Sequence, residues 1–348
     1  FKELMVEAGA ANLIGIEVPT DFDGQGLDFS IRVAAAQRLA RVDFATAMGF
    51  INTHNVALKL AQDAEGDWAA EWIGQLLSGT SFAGTAITEV QAGSDLSQMQ
   101  ASAARTDDGW RLNAHKAWII NGDNISAAIL YAQTDASKGI DGIAGFFVAL
   151  PEHAHDRTQR DRLNEYYADA TGSISLTEHM VPAEAMVTAP GEVITKLLPE
   201  LNRARIYVAA MCVGMVEDCL QTAATYGLTR ETFGSNLHGH QGWRWQLARA
   251  STDLAAAQAL VDQAVADILG GGDAQILAAQ AKLFATTMAK THIGQLMQAM
   301  GAEGLRPTQR FQRHHFAAQV AGTVDGTDEM LLERIAKQVK QDAERAGA

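Results

Sequence analysis

The chain has little cysteine, little proline and few aromatic side chains. Of its 348 residues, two are cysteine, six are proline and 7% are aromatic. Cys212 and Cys219 belong to one helical pattern, in which they lie about 10 Å apart along the axis. This is too far for a disulfide, whose Cα atoms lie closer together. We therefore expect two buried thiols, as is usual in a reducing cytoplasm.

Basic residues are also scarce. The 27 lysines and arginines are outnumbered by 41 aspartates and glutamates, and the formal net charge is −14. This surplus argues against nucleic acid or an anionic membrane as the main partner. The net charge is compatible with an anionic small ligand, because such a ligand needs only local positive groups. The hydrophobic fraction (47%) and the charged fraction (20%) are typical of a soluble globular protein.

Long apolar runs are missing as well. The longest, 206–216, is shorter than the roughly 20 residues that a membrane span requires, so we expect no membrane span. No signal peptide is evident. Because Phe1 falls inside a helical pattern, we expect an N-terminal domain that is truncated at its start.

The residue pattern predicts an α+β chain of three domains. Residues 1–80 read as helices, interrupted by a loop rich in Gly and Asp. Residues 81–190 contain short apolar runs and Asn-Gly or Asp-Gly turns, which predict an antiparallel sheet or small barrel. Their polar segment, 152–171, is expected to cover a loop and the next strand. Residues 191–348 are rich in Ala and Leu and predict a four-helix bundle. The predicted bundle helices are 192–229, 239–270, 273–300 and 328–346.

Two segments of the predicted sheet contain candidate ligand contacts. "TAITEVQAGSD" (85–95) places Thr88, Ser94 and a glycine turn where an anionic or polar ligand could approach the backbone. "HKAWIING" (115–122) places Trp118 where an indole could cover a flat cofactor or pack in the core. Taken alone, each segment favours the ordinary structural role.

Two segments of the predicted bundle are equally ambiguous. "RETFGSNLHGHQ" (230–241) contains Arg230, whose guanidinium suits a phosphate, but a solvated loop has the same composition. His238 and His240 lack further ligands at metal-binding spacing, so we predict no metal. "QAMGAEGL" (298–305) contains glycines that either cap a helix or lie against a ligand.

The segment "TVDGTDEML" (323–331) contains Asp325-Gly326, a strong turn signal. The pair is either a joint between two helices or a turn that presents a carboxylate as a general base. The sequence of this segment alone does not separate the two.

In their order along the chain, these segments resemble the motifs of the acyl-CoA dehydrogenase family of flavoproteins. "IGIEVPTDFDGQG" is similar to that family's N-terminal segment, and "TEVQAGSD" to its TEPxAGSD motif. "KAWIING", "RETFG" with its following glutamine, "QAMGAEG" and "VDGTDEM" are similar to four further motifs. The resemblance implies a helical domain, a β domain and a four-helix bundle. It also implies FAD shared across subunits of a homo-oligomer, expected to be a dimer of dimers.

The resemblance also implies a role for each matching residue. Asp325 falls at the position of the catalytic base. Contacts with substrate fall at Ser94, Arg205, Val324 and Gly326. Contacts with FAD fall at Thr88, Ser94, Trp118, Ile120, Arg230, Thr232, Phe233, Gln241, Gln298, Gly301 and Thr327. Among these, the 230–241 loop reaches the FAD of a neighbouring subunit, and Trp118 packs on the flavin.

Five positions depart from the family pattern. The smallest change is Ala302, which replaces the second glycine of the adenosine contact. Asp325 replaces a glutamate and is one methylene shorter. The other base position used in the family falls at Ala204, which supplies no carboxylate. Val324 replaces an aromatic residue, and Ile120 replaces a hydroxyl expected near the flavin.

The implied reaction is α,β-dehydrogenation of an acyl thioester, carried by CoA or by a carrier protein, with Asp325 taking the α-proton. Electron-transfer flavoprotein is the implied electron acceptor and the cytoplasm the expected location. One alternative is a nitroalkane-oxidase-like enzyme with the same base. Another is a non-catalytic homologue that binds flavin or acyl-CoA. A monooxygenase using diffusible FMN is disfavoured, because Arg230, Gln241 and Gln298 match contacts with the ADP half of FAD.

Overall fold

The computed structural model describes residues 2–151, 154 and 171–347. The chain divides into two compact units, one made of Phe1–Asp28 with Met48–Leu198 and the other of Phe29–Ala47 with Pro199–Ala348. The polar segment predicted over 152–171 lies outside the described residues, except at Ala154 and Thr171.

The first unit contains helices packed with a seven-stranded sheet. Its helices are α1 (Lys2–Ala10), most of α3 (Phe44–Asp63) and α4 (Asp67–Leu77). Its strands are β1 (Ala83–Ala86), β2 (Ser102–Thr106), β3 (Gly109–Ile119), β4 (Ala127–Gln133), β5 (Ile143–Ala149), β6 (Gly172–Val181) and β7 (Met186–Thr188). Aromatic residues join the sheet to helix α4. Phe147 on β5 contacts Trp68 and Trp72 on α4, with ring centroids 5.5 and 5.1 Å apart.

The strand order is β6-β3-β2-β4-β5-β7, with β1 beside β4. The predicted β domain is confirmed, and most of its pairings are antiparallel. Two pairings differ from the prediction, because β1 runs parallel to β4 and β2 meets β4 in a parallel contact at Ser102 and Gln133. Turn signals indicate how neighbouring strands connect, but they do not specify partners that are distant in sequence.

The second unit is helical. Its helices are α2 (Phe29–Ala40), most of α5 (Val193–Thr229), α6 (Gln241–Leu269), α7 (Gln275–Ala299), α8 (Phe311–Ala321) and α9 (Asp328–Gly347), with a two-residue hairpin of β8 (Glu231–Thr232) and β9 (Ser235–Asn236) before α6. The four predicted bundle helices agree with the observed bounds to within two residues. Helix α8 was not predicted, because its polar residues obscure the apolar pattern. One of them, His314, is fully buried and meets Asp218 of α5.

Helix α2 packs within the second unit although it precedes the sheet in sequence. The Arg32 guanidinium lies over the ring of Tyr207 on α5, 5.7 Å from the centroid. Gly214 of α5 faces the carbonyl of Gln37, where an added Cβ would lie 2.2 Å from the oxygen. The glycine therefore permits a close approach of the two helices.

Helix α5 is the one candidate membrane span within the part of the chain that the structure describes. It is long and apolar enough to cross a membrane, although 78% of its most apolar window is buried inside the protein. The absence of a membrane span stays a prediction, which this burial favours. Cys212 and Cys219 lie on the same helix as free, buried thiols, as predicted. Burial raises the pKa of Cys212 to about 12, so it is unreactive as a thiolate.

Candidate active site

Asp325 lies in the turn between α8 and α9, in a backbone conformation that is rare for a side-chain-bearing residue. Its φ is 54°, and that of Gly326 is 97°. A Cβ on Gly326 would lie 3.3 Å from Nη2 of Arg205. Glycine is favoured there because it tolerates the left-handed conformation and leaves room for the guanidinium. The turn predicted from Asp-Gly is therefore present, and it holds the carboxylate outside a helix.

Two cations of the second unit bind the backbone of this turn. Nζ of Lys282 on α7 donates to the carbonyls of Val324 and Gly326, the latter at 2.5 Å. Nε of Arg205 on α5 donates to the carbonyl of Asp325 at 3.1 Å. Three consecutive carbonyls thus accept hydrogen bonds from charged side chains, the stronger class of hydrogen bond in proteins.

The carboxylate of Asp325 is poorly solvated. Its Oδ2 atom is buried and has no hydrogen-bond partner among the described residues. Burial raises the pKa of Asp325, and the positive charges of Lys282 and Arg205 oppose that rise. An ionised carboxylate that lacks hydrogen-bond donors is a stronger base than one in water. The arrangement suits proton abstraction from a weakly acidic carbon.

Helix α9 is anchored to α7 just after the turn. Asp328, its first residue, accepts hydrogen bonds from Thr286 at 2.9 Å and from Lys290 at 2.7 Å. Thr327 accepts a bond from the backbone N–H of Met330 at 3.4 Å, so its hydroxyl caps α9. The turn is thereby fixed on both sides of Asp325.

The first unit brings together the Thr88 turn and the end of β3. The backbone N–H of Ala117 donates to the carbonyl of Thr88 at 3.0 Å. Lys116, fully buried, donates to Ile87 O at 2.9 Å and to Glu89 Oε1 at 2.8 Å. Burial tends to raise the pKa of Glu89, but Lys116 and two backbone N–H groups hold it below its usual value.

The predicted flavin contacts of this unit lie around that ion pair. Trp118 follows Lys116 with a φ of 59° and 47% of its surface exposed. Ser94 is exposed, and Thr88 and Ile120 are half-buried. A positive φ at an aromatic residue is a strained conformation of the kind found at functional sites. The indole therefore faces outward from the sheet rather than filling the core.

Apart from Thr327, which lies beside the Asp325 turn, the predicted FAD contacts of the second unit lie around the end of α7 and the start of α6. Trp243 of α6 donates to the carbonyl of Ala299 at 2.9 Å, which joins the start of α6 to the end of α7. Thr232 contacts His240 at 3.1 Å, and His238 contacts the carbonyl of Ala224, so both histidines have structural partners. Arg230, Phe233, Gln241, Gln298 and Gly301 are all exposed.

Three buried ionic residues were not predicted to belong to the site. Lys116 and Glu89 lie inside the quoted motifs, but their pairing across the sheet is not visible in sequence. Lys282 was missed altogether. The signal available for it is the spacing of Lys282, Thr286 and Lys290, which puts three polar residues at intervals of four on one face of the helix.

Comparisons with known proteins agree with this geometry. The N-terminal, middle and C-terminal domain models of acyl-CoA dehydrogenase match residues 1–80, 84–167 and 194–340. The bovine mitochondrial short-chain specific acyl-CoA dehydrogenase is 27% identical over 325 residues, covering 92% of this chain and 78% of that protein. A probable acyl-CoA dehydrogenase of Mycobacterium leprae is 25% identical over 337 residues, covering 94% of this chain and 85% of that protein.

A solved structure shows the same likeness. Butyryl-CoA dehydrogenase from Megasphaera elsdenii superposes with a TM-score of 0.91 at 27% identity, covering 97% of this chain and 90% of that chain. The chain belongs to the acyl-CoA dehydrogenase family. It is an FAD-dependent oxidoreductase of the acyl-CoA dehydrogenase type.

The residues present suit FAD. Phe233 is 100% exposed and, like Trp118, offers an aromatic surface to a ligand. Arg230 is exposed and supplies a charge suited to a diphosphate. Gly301 has a φ of 60° and open space where a Cβ would lie, so its backbone is accessible. Trp118, Arg230, Phe233 and Gly301 are thus available to a cofactor rather than packed in the core.

Proposed function

We propose that the protein removes two hydrogens from the α and β carbons of an acyl thioester, with Asp325 as the base. The observation that carries this proposal is the buried Oδ2 of Asp325, which has no hydrogen-bond partner among the described residues and lies on a turn held by two cations. Such a carboxylate is available to accept a proton.

Asp325 Oδ2 takes the α-proton, and the thioester becomes an α,β-unsaturated thioester as the β-hydride leaves. FAD, when bound, supplies the acceptor for that hydride. Arg205 and Lys282 place positive charge beside the carboxylate and keep enough of it ionised to act as a base. The side chain is about 1.5 Å shorter than that of a glutamate, so the acyl chain must approach the turn closely.

Val324 and Gly326 border the carboxylate and are the proposed determinants of acyl shape. Val324 is half-buried, and it leaves more room than an aromatic side chain would. The thioester carrier is CoA or a carrier protein, and electron-transfer flavoprotein is the proposed acceptor of the electrons. The names of the bovine and Megasphaera relatives make short acyl-CoAs the first substrates to test. The proposed location is the cytoplasm.

FAD contacts in the first unit are proposed at Thr88, Ser94, Trp118 and Ile120. In the second unit, the Asp325 turn contacts Lys282, whereas Trp243, which follows the 230–241 loop, bonds to Ala299. These points are separated by roughly 25 Å along α7. The separation supports a homo-oligomer, proposed as a dimer of dimers, in which the two clusters serve different FAD molecules. The contacts proposed for the second cluster are Arg230, Thr232, Phe233, Gln241, Gln298 and Gly301, and Thr327 is proposed to meet the diphosphate.

Anaerobic bleaching of the bound flavin tests the function. Acyl-CoAs of graded length and branching, matched carrier-protein thioesters and nitroalkanes would each be mixed with the purified protein. We expect bleaching by a thioester and its loss in Asp325→Asn. Bleaching by nitroalkanes alone would replace the proposal with a nitroalkane oxidase. Bleaching by none of these compounds would identify a non-catalytic homologue.

A further inference from the structure

Lys282 is a fully buried cation with an unusual set of partners. Its ammonium donates to the carbonyls on both sides of Asp325, those of Val324 and Gly326. Buried lysines more often pair with a carboxylate. Here the ammonium instead binds backbone carbonyls, those of the two residues that flank the proposed base.

The contact acts on the part of the turn that is conformationally least favourable. Asp325 and Gly326 both have positive φ, a conformation that costs free energy at Asp325 and persists only when its surroundings enforce it. The ammonium bridges the carbonyls of Val324 and Gly326. It thereby restricts the backbone rotation that would return Asp325 to a negative φ. Arg205 holds the carbonyl between them.

The part of α7 that contains Lys282 is buried and is bonded to the start of α9. Lys282 and Thr286 are both completely buried on α7, and Thr286 holds Asp328 just past the turn. The ionisable groups that act electrostatically on Lys282 are Asp325, Asp328, Cys212 and Arg205. Burial lowers the pKa of Lys282 to about 8, and the two aspartates oppose this effect. The lysine is therefore charged at neutral pH.

We propose that Lys282 is a positioning residue for the reaction: by binding Val324 O and Gly326 O, it holds the Asp325 carboxylate in its reactive orientation. This proposal rests on the proposed role of Asp325. The ammonium does not touch the substrate and acts through the backbone of the turn. A displacement of the carboxylate by about 1 Å is enough to lower the rate of a positioned reaction by about 100-fold.

Three variants test this role. Lys282→Met removes the charge and both hydrogen bonds and keeps a long side chain. Lys282→Gln removes the charge and keeps a hydrogen-bond donor. Lys290→Met is the matched control on the same helix, because Lys290 bonds the Asp328 side chain at 2.7 Å rather than the carbonyls of the turn.

Two kinds of measurement are needed. Amide hydrogen exchange over 320–331, in protein with and without FAD, reports whether the turn is held. The anaerobic rate of flavin reduction, as a function of acyl-CoA concentration and pH, reports whether the base is positioned. Flavin content shows that the cofactor site is intact.

For Lys282→Met we expect exchange at 323–327 to be at least about tenfold faster and flavin reduction to be about 100-fold slower. We expect a change of no more than about threefold in the half-saturating substrate concentration, since the lost contact acts on the base rather than on binding. The pH at which Asp325 becomes ionised should rise, because a stabilising cation is gone. Lys282→Gln should fall between wild type and Lys282→Met. Lys290→Met should slow flavin reduction far less than Lys282→Met does, because Thr286 still holds Asp328. It should leave the pH profile unchanged, because the charges that act on Asp325 are those of Lys282 and Arg205.

Unchanged exchange at the turn, or a wild-type rate and pH profile in Lys282→Met, would overturn the proposal. If Lys282→Met does not fold, Lys282→Gln decides the question by the same measurements. If no acyl thioester reduces the flavin of the wild-type protein, the dehydrogenase function fails. The exchange comparison between Lys282→Met and Lys290→Met still shows whether Lys282 holds the turn.

Discussion

Lys116 Nζ lies 2.8 Å from Glu89 Oε1, and the two side chains are 0% and 2% exposed. Glu89 also accepts the backbone N–H groups of Gln100 and Ala101, at 2.7 and 2.9 Å. One buried ion pair thus connects the end of β3 with the Thr88 turn and the segment that leads to β2. Both sets of proposed flavin contacts in the first unit lie on the segments that it connects.

Lys116→Met should therefore destabilise the protein by about 3–5 kcal/mol, because it leaves Glu89 buried and charged without its partner. It should also lower the flavin content, since the Thr88 turn and Trp118 lose their common support. Urea unfolding and flavin absorbance measure the two effects.

The double variant Lys116→Met with Glu89→Gln is the control. It leaves no buried charge, so it should cost less stability than Lys116→Met alone. A double variant that is less stable than the single one would show that the ion pair is not the source of the loss.

Asp325→Asn should retain FAD and lose activity. Removal of a general base lowers rates by about 10²–10⁴-fold. The variant should also be more stable at neutral pH, by roughly 0.5–2 kcal/mol, because it removes a buried charge and because asparagine tolerates positive φ. Thermal unfolding and anaerobic flavin reduction test both effects. A variant as active as wild type would exclude Asp325 as the base.

The rate of flavin reduction at low substrate concentration should increase with pH. Burial raises the pKa of Asp325 above 3.8, and only the ionised carboxylate accepts a proton. The same shift makes Asp325 favour folding most at low pH and lose that contribution as the pH rises through its folded pKa. A profile with unit slope on its acidic side is the expected result, and this limb should vanish in Asp325→Asn. A flat profile between about pH 4 and 8 would contradict the assignment.

Asp218 should contribute to acid stability. Arg310 donates two hydrogen bonds to it, at 2.7 and 3.0 Å, and His314 lies 3.3 Å away. Although burial opposes this, Arg310 and His314 lower the pKa of Asp218 to about 2. Its contribution is therefore present above its unfolded pKa, near 4, and is lost as the pH falls towards 2.

Asp218→Asn should cost about 1.5–3 kcal/mol at pH 7, and the difference from wild type should shrink between about pH 4 and 2. Urea unfolding at several pH values measures this difference. Asp342→Asn, which removes an exposed partner of Arg345 at 3.9 Å, should change stability by less than about 1 kcal/mol. A difference from wild type that is independent of pH would reject Asp218 as the titrating group.

The sequence by itself determined much of the architecture. Apolar periodicity and glycine breaks located α5, α6, α7 and α9 to within two residues. This was possible because the buried face of a long amphipathic helix appears in the sequence as a regular repeat of apolar residues. Short runs and turn pairs likewise predicted the β domain. The Asp-Gly pair predicted the turn at Asp325, and the order of the motifs predicted the family.

Only the tertiary structure decided what surrounds that turn. Lys282 and Arg205 are 43 and 120 residues from Asp325 in the chain, and a local pattern contains no record of which distant groups meet. For the same reason, the sequence did not predict the burial of His314 in α8 or the pairing of Lys116 with Glu89. The sequence identified the residue that we propose as the base, whereas packing decided that its carboxylate is desolvated, that its pKa is raised and that its backbone is held by two cations.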